Sequence, residues 1–322
     1  MELDSENIQS IGFSVEVAAV EHISTAGSAK SSPMTALRGY YELTKPGITQ
    51  MVVLTAAVGY YLAFPSNQSF ADIGNLIRFV LFTFGTACIS GGACAFNHVL
   101  EHRDDATMKR TAQRPIPSGL ISARNAVYFA VSCTLAGVAA LAFVNLLTLV
   151  LAVGTFVVYL LLYTPLKKKT WVAMFVGGIP GALPAVGGWT AVTGELGVVA
   201  YVLFAIMFIW QMPHFLALAM MYRNDYDRGG FALLCKDESE QGLVARHALF
   251  YTIVLVPFGL LLYALGAVGI LFLVGFAALS FVFIRKAVDV VKEPTPTCAR
   301  RLLLASYAYV MGVFLLMVID KG

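Results

Sequence analysis

Charge is what this 322-residue sequence has least of: Asp, Glu, Lys and Arg together make up 13% of it. A soluble domain carries about 25%. With 58% hydrophobic residues and a mean hydropathy of +0.76, the deficit excludes a soluble protein. Cysteine is also sparse. Cys88, Cys94, Cys133, Cys235 and Cys298 are scattered, odd in number and form no CxxC pair, which argues against a disulfide framework or a zinc site. The N-terminal stretch lacks the basic start and apolar run of a cleavable signal. It also lacks the acid-poor character of a transit peptide, since it holds Glu2, Asp4, Glu6, Glu16 and Glu21. Polar and Ser-rich, residues 1–37 read as a disordered cytoplasmic tail, leaving 38–322 as a transmembrane domain.

What is present is a series of long apolar runs. Crossing a hydrocarbon core of ~30 Å takes about 20 such residues. The runs predict about nine spans, at 47–64, 76–98, 124–142, 145–163, 172–192, 197–221, 247–265, 268–285 and 300–319. The expected fold is an all-α polytopic membrane bundle. Twenty of the 22 basic residues fall on one side of that arrangement, with only Arg78 and Lys321 opposite. The positive-inside rule then places the N-terminus and the loops after spans two, four, six and eight in the cytoplasm, the lipid bilayer being the partner of the rest. No nucleic-acid partner is expected.

The acids in those loops are patterned. Asn97, Glu101 and Asp105 follow one another at i, i+4 and i+8, so a helix carries them as one oxygen-bearing stripe. Hard oxygen ligands with open positions suit Mg²⁺, which binds through one or two carboxylates plus substrate phosphates. Lys109, Arg110 and Arg114 follow directly and are suited to phosphate oxygens. A polar loop with helix-end ion pairs would explain the same residues. Span six ends in a second cluster, Arg223-Asn224-Asp225-Tyr226-Asp227-Arg228, four spans after the first and so in an equivalent place of a four-plus-four repeat that no close sequence identity supports. Two such clusters facing across a cavity would cage a diphosphate, and simple helix capping is the alternative. Two turns earlier, Trp210-Gln211-Met212-Pro213-His214-Phe215 interrupts apolar sequence. Gln211 and His214 are costly in lipid and mark either a cavity or a packing hydrogen bond. The run Lys167-Lys168-Lys169 serves as an orientation signal or, through Lys168, as a phosphate contact.

Taken together, these stretches resemble the membrane-embedded aromatic prenyltransferase superfamily, with its Asn-x-x-x-Asp/Glu-x-x-x-Asp motif after the second span. Leu43-Thr44-Lys45-Pro46, Asn97 through Pro117, Tyr163 through Trp189 and Trp210 through Tyr226 carry the resemblance, which covers roughly 38–320. Ala185 stands where the family often has a second proline, and Glu101 where it has Asp; the carboxylate is kept. The Trp-Gln-x-Pro-His-Phe segment is similar to the branch that farnesylates haem. The resemblance implies farnesyl transfer from farnesyl diphosphate to a vinyl group of haem b. Mg²⁺ would be held by Asn97, Glu101, Asp105 and Asp225. Lys109, Arg110, Arg114, Lys168, Arg223, Gln211 and His214 would contact substrate, His214 as a candidate haem contact. It also implies a bacterial inner-membrane location and raises a haem A synthase or oxidase-assembly partner. A sister enzyme acting on a quinone or chlorophyll precursor shares the acids but not that segment. A transporter would place its ionisable residues nearer the midplane.

Overall fold

The computed structural model describes residues 32–232 and 240–322. The first helix, α1, runs Pro33–Leu43. It begins inside the stretch read as a disordered tail, and residues 33–37 are a correction to that reading. The local cause is visible: the Ser32 side chain accepts the Thr35 N–H, and Pro33 occupies the first turn, where no N–H is needed. Residues 1–31 lie outside the described residues.

Nine described helices are long and apolar enough to cross a membrane. They are α2 (Pro46–Ala63), α3 (Ile73–Thr107), α4 (Ala123–Ala142), α5 (Leu146–Leu166), α6 (Ala173–Thr193), α7 (Val198–Met221), α9 (Gln241–Ala264), α10 (Ile270–Lys292) and α11 (Pro296–Ile319). A short helix, α8 (Arg223–Arg228), follows α7. The described residues form no β-strand, only an isolated bridge between Val268 and Lys321.

The expected spans and the helices agree in number, but their ends differ where helix outlasts apolar sequence. Helix α3 continues nine residues past 98 to Thr107, α9 starts at Gln241, and α10 reaches Lys292. Backbone hydrogen bonding does not stop where the apolar run stops. At ~1.5 Å per residue, the 35 residues of α3 exceed what a ~30 Å core needs. Its C-terminal turns, which carry Glu101, Asp104 and Asp105, thus extend the span as a polar rod.

Two details position the site. In α2 and α6 the backbones nearly touch: a Cβ on Gly188 would lie 2.0 Å from the Ala56 carbonyl oxygen, and one on Gly59 2.1 Å from that of Ala185. Only glycine permits this approach. In α5 the hydrogen bonding widens to a π-helix over Val158–Tyr163 just before Pro165. Proline has no N–H to donate and its ring crowds the carbonyl four residues back. The Thr164 N–H and hydroxyl both donate to the Tyr159 carbonyl, the hydroxyl at 2.9 Å. Such π segments recur at functional sites, and this one turns Tyr159 and Tyr163 inward. Helices α7, α9, α10 and α11 form most of the largest apolar core cluster, around Leu203, Leu255, Phe272, Phe276 and Leu302. Helices α2, α3, α5 and α6, together with α7 and α11, border a cavity.

Candidate active site

The cavity has a volume of about 840 Å³. Its polar mouth is built by the C-terminal turns of α3 (Glu101, Asp105), the following loop (Arg110, Arg114), the α1–α2 junction (Lys45), the end of α5 (Tyr163, Lys167) and α8 (Tyr226). Glu101 is 6% exposed and Asp105 fully buried. Both carboxylates face the same space because they are one helical repeat apart.

Each acid at the mouth is matched by a cation from another segment. Arg114 Nη1 donates to both oxygens of Asp105 at 2.7 Å. Lys167 sits on Glu101, its ammonium also 4.9 Å above the Tyr163 ring and 5.3 Å from that of Phe231. Burial alone would lower the Lys167 pKa, but Tyr163 and Glu101 outweigh it and hold the ammonium above the usual lysine range. Lys45 donates to the Asn97 amide oxygen, and Asn97 Nδ2 donates to Thr164 Oγ1 at 3.3 Å. Burial pulls the Lys45 ammonium down to about 8. Lys45 is also the one described non-glycine residue with positive φ, at 46°. That conformation costs of order 1–3 kcal/mol and persists only when its surroundings enforce it. Here it turns the lysine back from the start of α2 onto Asn97.

Below the mouth the lining divides into two regions, here called arms. One lies between α2, α3 and α5 and is mainly apolar, with Val52, Phe82, Ile89, Leu141 and Phe156 beside the hydroxyls of Thr55, Thr86 and Ser90. The other lies between α6, α7 and α11 and is richer in rings: Trp171, Trp210, His214, Phe215 and Tyr307. Gln211 is seated there because Gly181 leaves it room; a Cβ at that position would meet Gln211 Oε1 at 1.9 Å. Its Nε2 donates to the carbonyls of Met207 and Gly178, at 3.0 and 3.3 Å. His214 Nδ1 lies 2.9 Å from Ser306 Oγ, and its ring meets Tyr307 edge-on at 4.8 Å.

Of the residues singled out from sequence, Glu101, Asp105, Arg110, Arg114, Gln211 and His214 line this one cavity. Asn97 stands just behind the wall, bonded to Lys45. Arg110 stacks over Tyr222 and Tyr226, 5.2 and 5.7 Å from their centroids. Lys168 pairs with Asp104 at 2.6 Å, and Asp225 with Arg228 three residues on. Lys109, Lys168, Arg223 and Asp225 are not on the cavity wall. Among the described residues no three His, Cys, Asp or Glu side chains converge as a metal site by themselves. Sequence reading passed over Tyr159 and Tyr163, which a π turn ahead of Pro165 brings inward. It also favoured Lys168 over Lys167, because a lysine triplet gives no sign of which member faces in.

The sequence model of the UbiA prenyltransferase family matches residues 52–314. A relative from Solibacter usitatus (strain Ellin6076), a protoheme IX farnesyltransferase, is 39% identical over 88% of this chain and 99% of its own. One of the same name from Salinibacter ruber (strain DSM 13855 / M31) is 41% identical over 87% and 98%. Among solved structures, a UbiA homologue from Archaeoglobus fulgidus bound to DMAPP and Mg²⁺ superposes with a TM-score of 0.60 at 16% identity, covering 87% of this chain and 99% of that one. A digeranylgeranylglyceryl phosphate synthase gives 0.72 at 19%, covering 88% and 98%. The structural likenesses speak to fold.

Proposed function

The chain belongs to the UbiA prenyltransferase family, and on that premise we propose that it transfers a farnesyl group from farnesyl diphosphate to a vinyl group of haem b, forming haem O. The observation that carries this reading is the lining of the cavity. A charged mouth, a mainly apolar wall and a wall rich in rings border one space, which suits a prenyl chain and a planar acceptor beneath one diphosphate.

The donor set suits Mg²⁺ in the way expected of a cation that keeps substrate oxygens as ligands. Glu101 and Asp105 offer two carboxylates on one face, too few to cage an ion alone but enough to hold one against a diphosphate. Asn97 and Asp225 complete the proposed set. Bound there, Mg²⁺ would neutralise the charge that develops on the leaving diphosphate. The chain's own cations do the rest. Lys45, Arg114 and Lys167 lean on Asn97, Asp105 and Glu101, and with metal held by those oxygens they would be released to meet phosphate, with Arg110 joining from the loop. Lys109, Lys168 and Arg223 lie further out and draw the anion in. Preorganised charges of this kind lower the barrier to breaking the allylic C–O bond, whose electron pair leaves with the diphosphate. The apolar arm keeps water from the allylic cation. The vinyl π pair then bonds to the farnesyl C1, and water adds to the resulting cation and loses a proton, leaving a hydroxyl.

We place the mouth, the N-terminus and the basic loops on the cytoplasmic side of a bacterial inner membrane. Twenty of 22 basic residues on that side of the span order support this. A haem A synthase or oxidase-assembly factor is the proposed consumer of the product. The test is Asp105→Asn, which removes the carboxylate while keeping its size. Turnover should fall by about 10²–10³, with normal membrane insertion and normal yield after solubilisation. Near-normal turnover would sink the assignment of Asp105.

A further inference from the structure

Gln211 presents an acceptor that the protein leaves unused. Both of its amide protons are taken, by the Met207 carbonyl at 3.0 Å and the Gly178 carbonyl at 3.3 Å, which fixes the orientation of the amide. Oε1 is thereby turned toward Gly181, where a Cβ would overlap it. Among the described residues no group donates to this oxygen, although Gln211 is only 6% exposed. Gln211 and Gly181 both line the cavity. On the same turn of α6, Pro184 has no N–H to give the Pro180 carbonyl, so a second acceptor lacks its helical donor. Both prolines line the same cavity.

A buried acceptor is costly unless something donates to it. Neither substrate of the proposed reaction can. The ring nitrogens of haem b hold iron, its ionised propionates only accept, and its vinyl and methyl groups carry no polar hydrogen. The farnesyl chain is hydrocarbon, and its diphosphate accepts. Water is the remaining donor, and the reaction consumes one. We propose that Gln211 Oε1 positions this water, the nucleophile that becomes the hydroxyl of the product. This rests on the haem-farnesylation reading of the same cavity and deepens it. With its protons directed to Oε1 and the Pro180 carbonyl, the water keeps a lone pair for the carbocation left once the vinyl group has bonded to farnesyl C1. A C–O bond forms there, and the proton released passes to the departed diphosphate. Helix α7 runs toward the mouth, so Gln211 lies nearly one turn deeper than His214. The water is thus stored in the ring-lined arm, away from the carboxylates where the allylic cation forms.

Without a positioned water the same carbocation loses a proton from the neighbouring carbon and gives an alkene, lighter than the hydroxylated product by one water. The experiment incubates the full chain in lipid nanodiscs with Mg²⁺, farnesyl diphosphate and haem b. It reads the ratio of the two farnesylated haems by mass, whatever the total turnover. The wild type should form the hydroxylated haem in about tenfold excess or more. Gln211→Leu, which removes the acceptor, and Gly181→Ala, which displaces it, should each lower that ratio about fivefold or more. Asp105→Asn slows the first bond cleavage and should keep the wild-type ratio, so a slower enzyme alone does not move it. If Gln211→Leu forms no product, Gly181→Ala decides. Wild-type ratios or loss of all product in both variants, or an equal fall in Asp105→Asn, overturns the role of Gln211 and leaves haem farnesylation standing. A wild type that farnesylates no haem overturns both.

Discussion

Ser306 organises two side chains of the ring-lined arm. Its carbonyl accepts the Trp210 indole N–H at 2.8 Å, and its hydroxyl donates its only proton to the Leu303 carbonyl at 2.7 Å. The 2.9 Å contact with His214 Nδ1 must therefore be donated by the imidazole, which fixes the Nδ1–H tautomer. Nε2 keeps its lone pair on a ring that lines the cavity. A histidine held by one nitrogen with the other unencumbered is the arrangement that metal-ligating imidazoles adopt. For haem b bound to the enzyme, His214→Ala should change the optical and EPR spectra of the iron. Ser306→Ala should preserve the ligand but broaden or shift the same bands, because the tautomer is no longer held. An unchanged spectrum in His214→Ala would remove the ligand role. His214 stood out in the sequence as a costly polar residue within an apolar run. Ser306, nearly a hundred residues later and chemically ordinary, did not.

At the scale of elements, the site depends on helices that approach closely or bend. Gly188 and Gly59 let α2 and α6 meet backbone to backbone, with a Cβ at either position 2.0–2.1 Å from a carbonyl oxygen. Gly188→Val should therefore separate the two helices. Overpacking of this kind costs about 1–3 kcal/mol or more, read as a lowered unfolding midpoint of the solubilised protein together with weaker farnesyl diphosphate binding. A midpoint equal to wild type would contradict the close approach. The number of spans was legible because long apolar runs and the alternation of basic loops carry the same signal. The ends were not. Helix α3 runs on to Thr107 because the acids beyond 98 are satisfied by Lys167, Lys168 and Arg114 from other segments, pairings that no local pattern reveals. Likewise, no pattern around Pro165 announced the π turn that aims two tyrosines into the cavity.

For the whole molecule, α9 and α10 serve the packed core, whereas α7 and α11 serve both that core and the cavity that they border with α2, α3, α5 and α6. The Asn97–Glu101–Asp105 stripe was legible from its four-residue spacing, and the structure puts Glu101 and Asp105 on the cavity wall. The facing of the two acidic clusters across that space was not established by sequence, and Asp225 is paired with Arg228 within its own helix. The ion pairs at the mouth give a physical picture of readiness: Glu101 and Asp105, the acids on the wall that would take metal, hold Lys167 and Arg114, which would take phosphate. The most direct test of this account supplies purified protein with Mg²⁺, haem b and farnesyl diphosphate and determines the mass of the recovered haem. The account predicts haem carrying one farnesyl group and one added hydroxyl, formed only when Mg²⁺ is present. Unmodified haem, with the same preparation prenylating a quinone precursor, would contradict it.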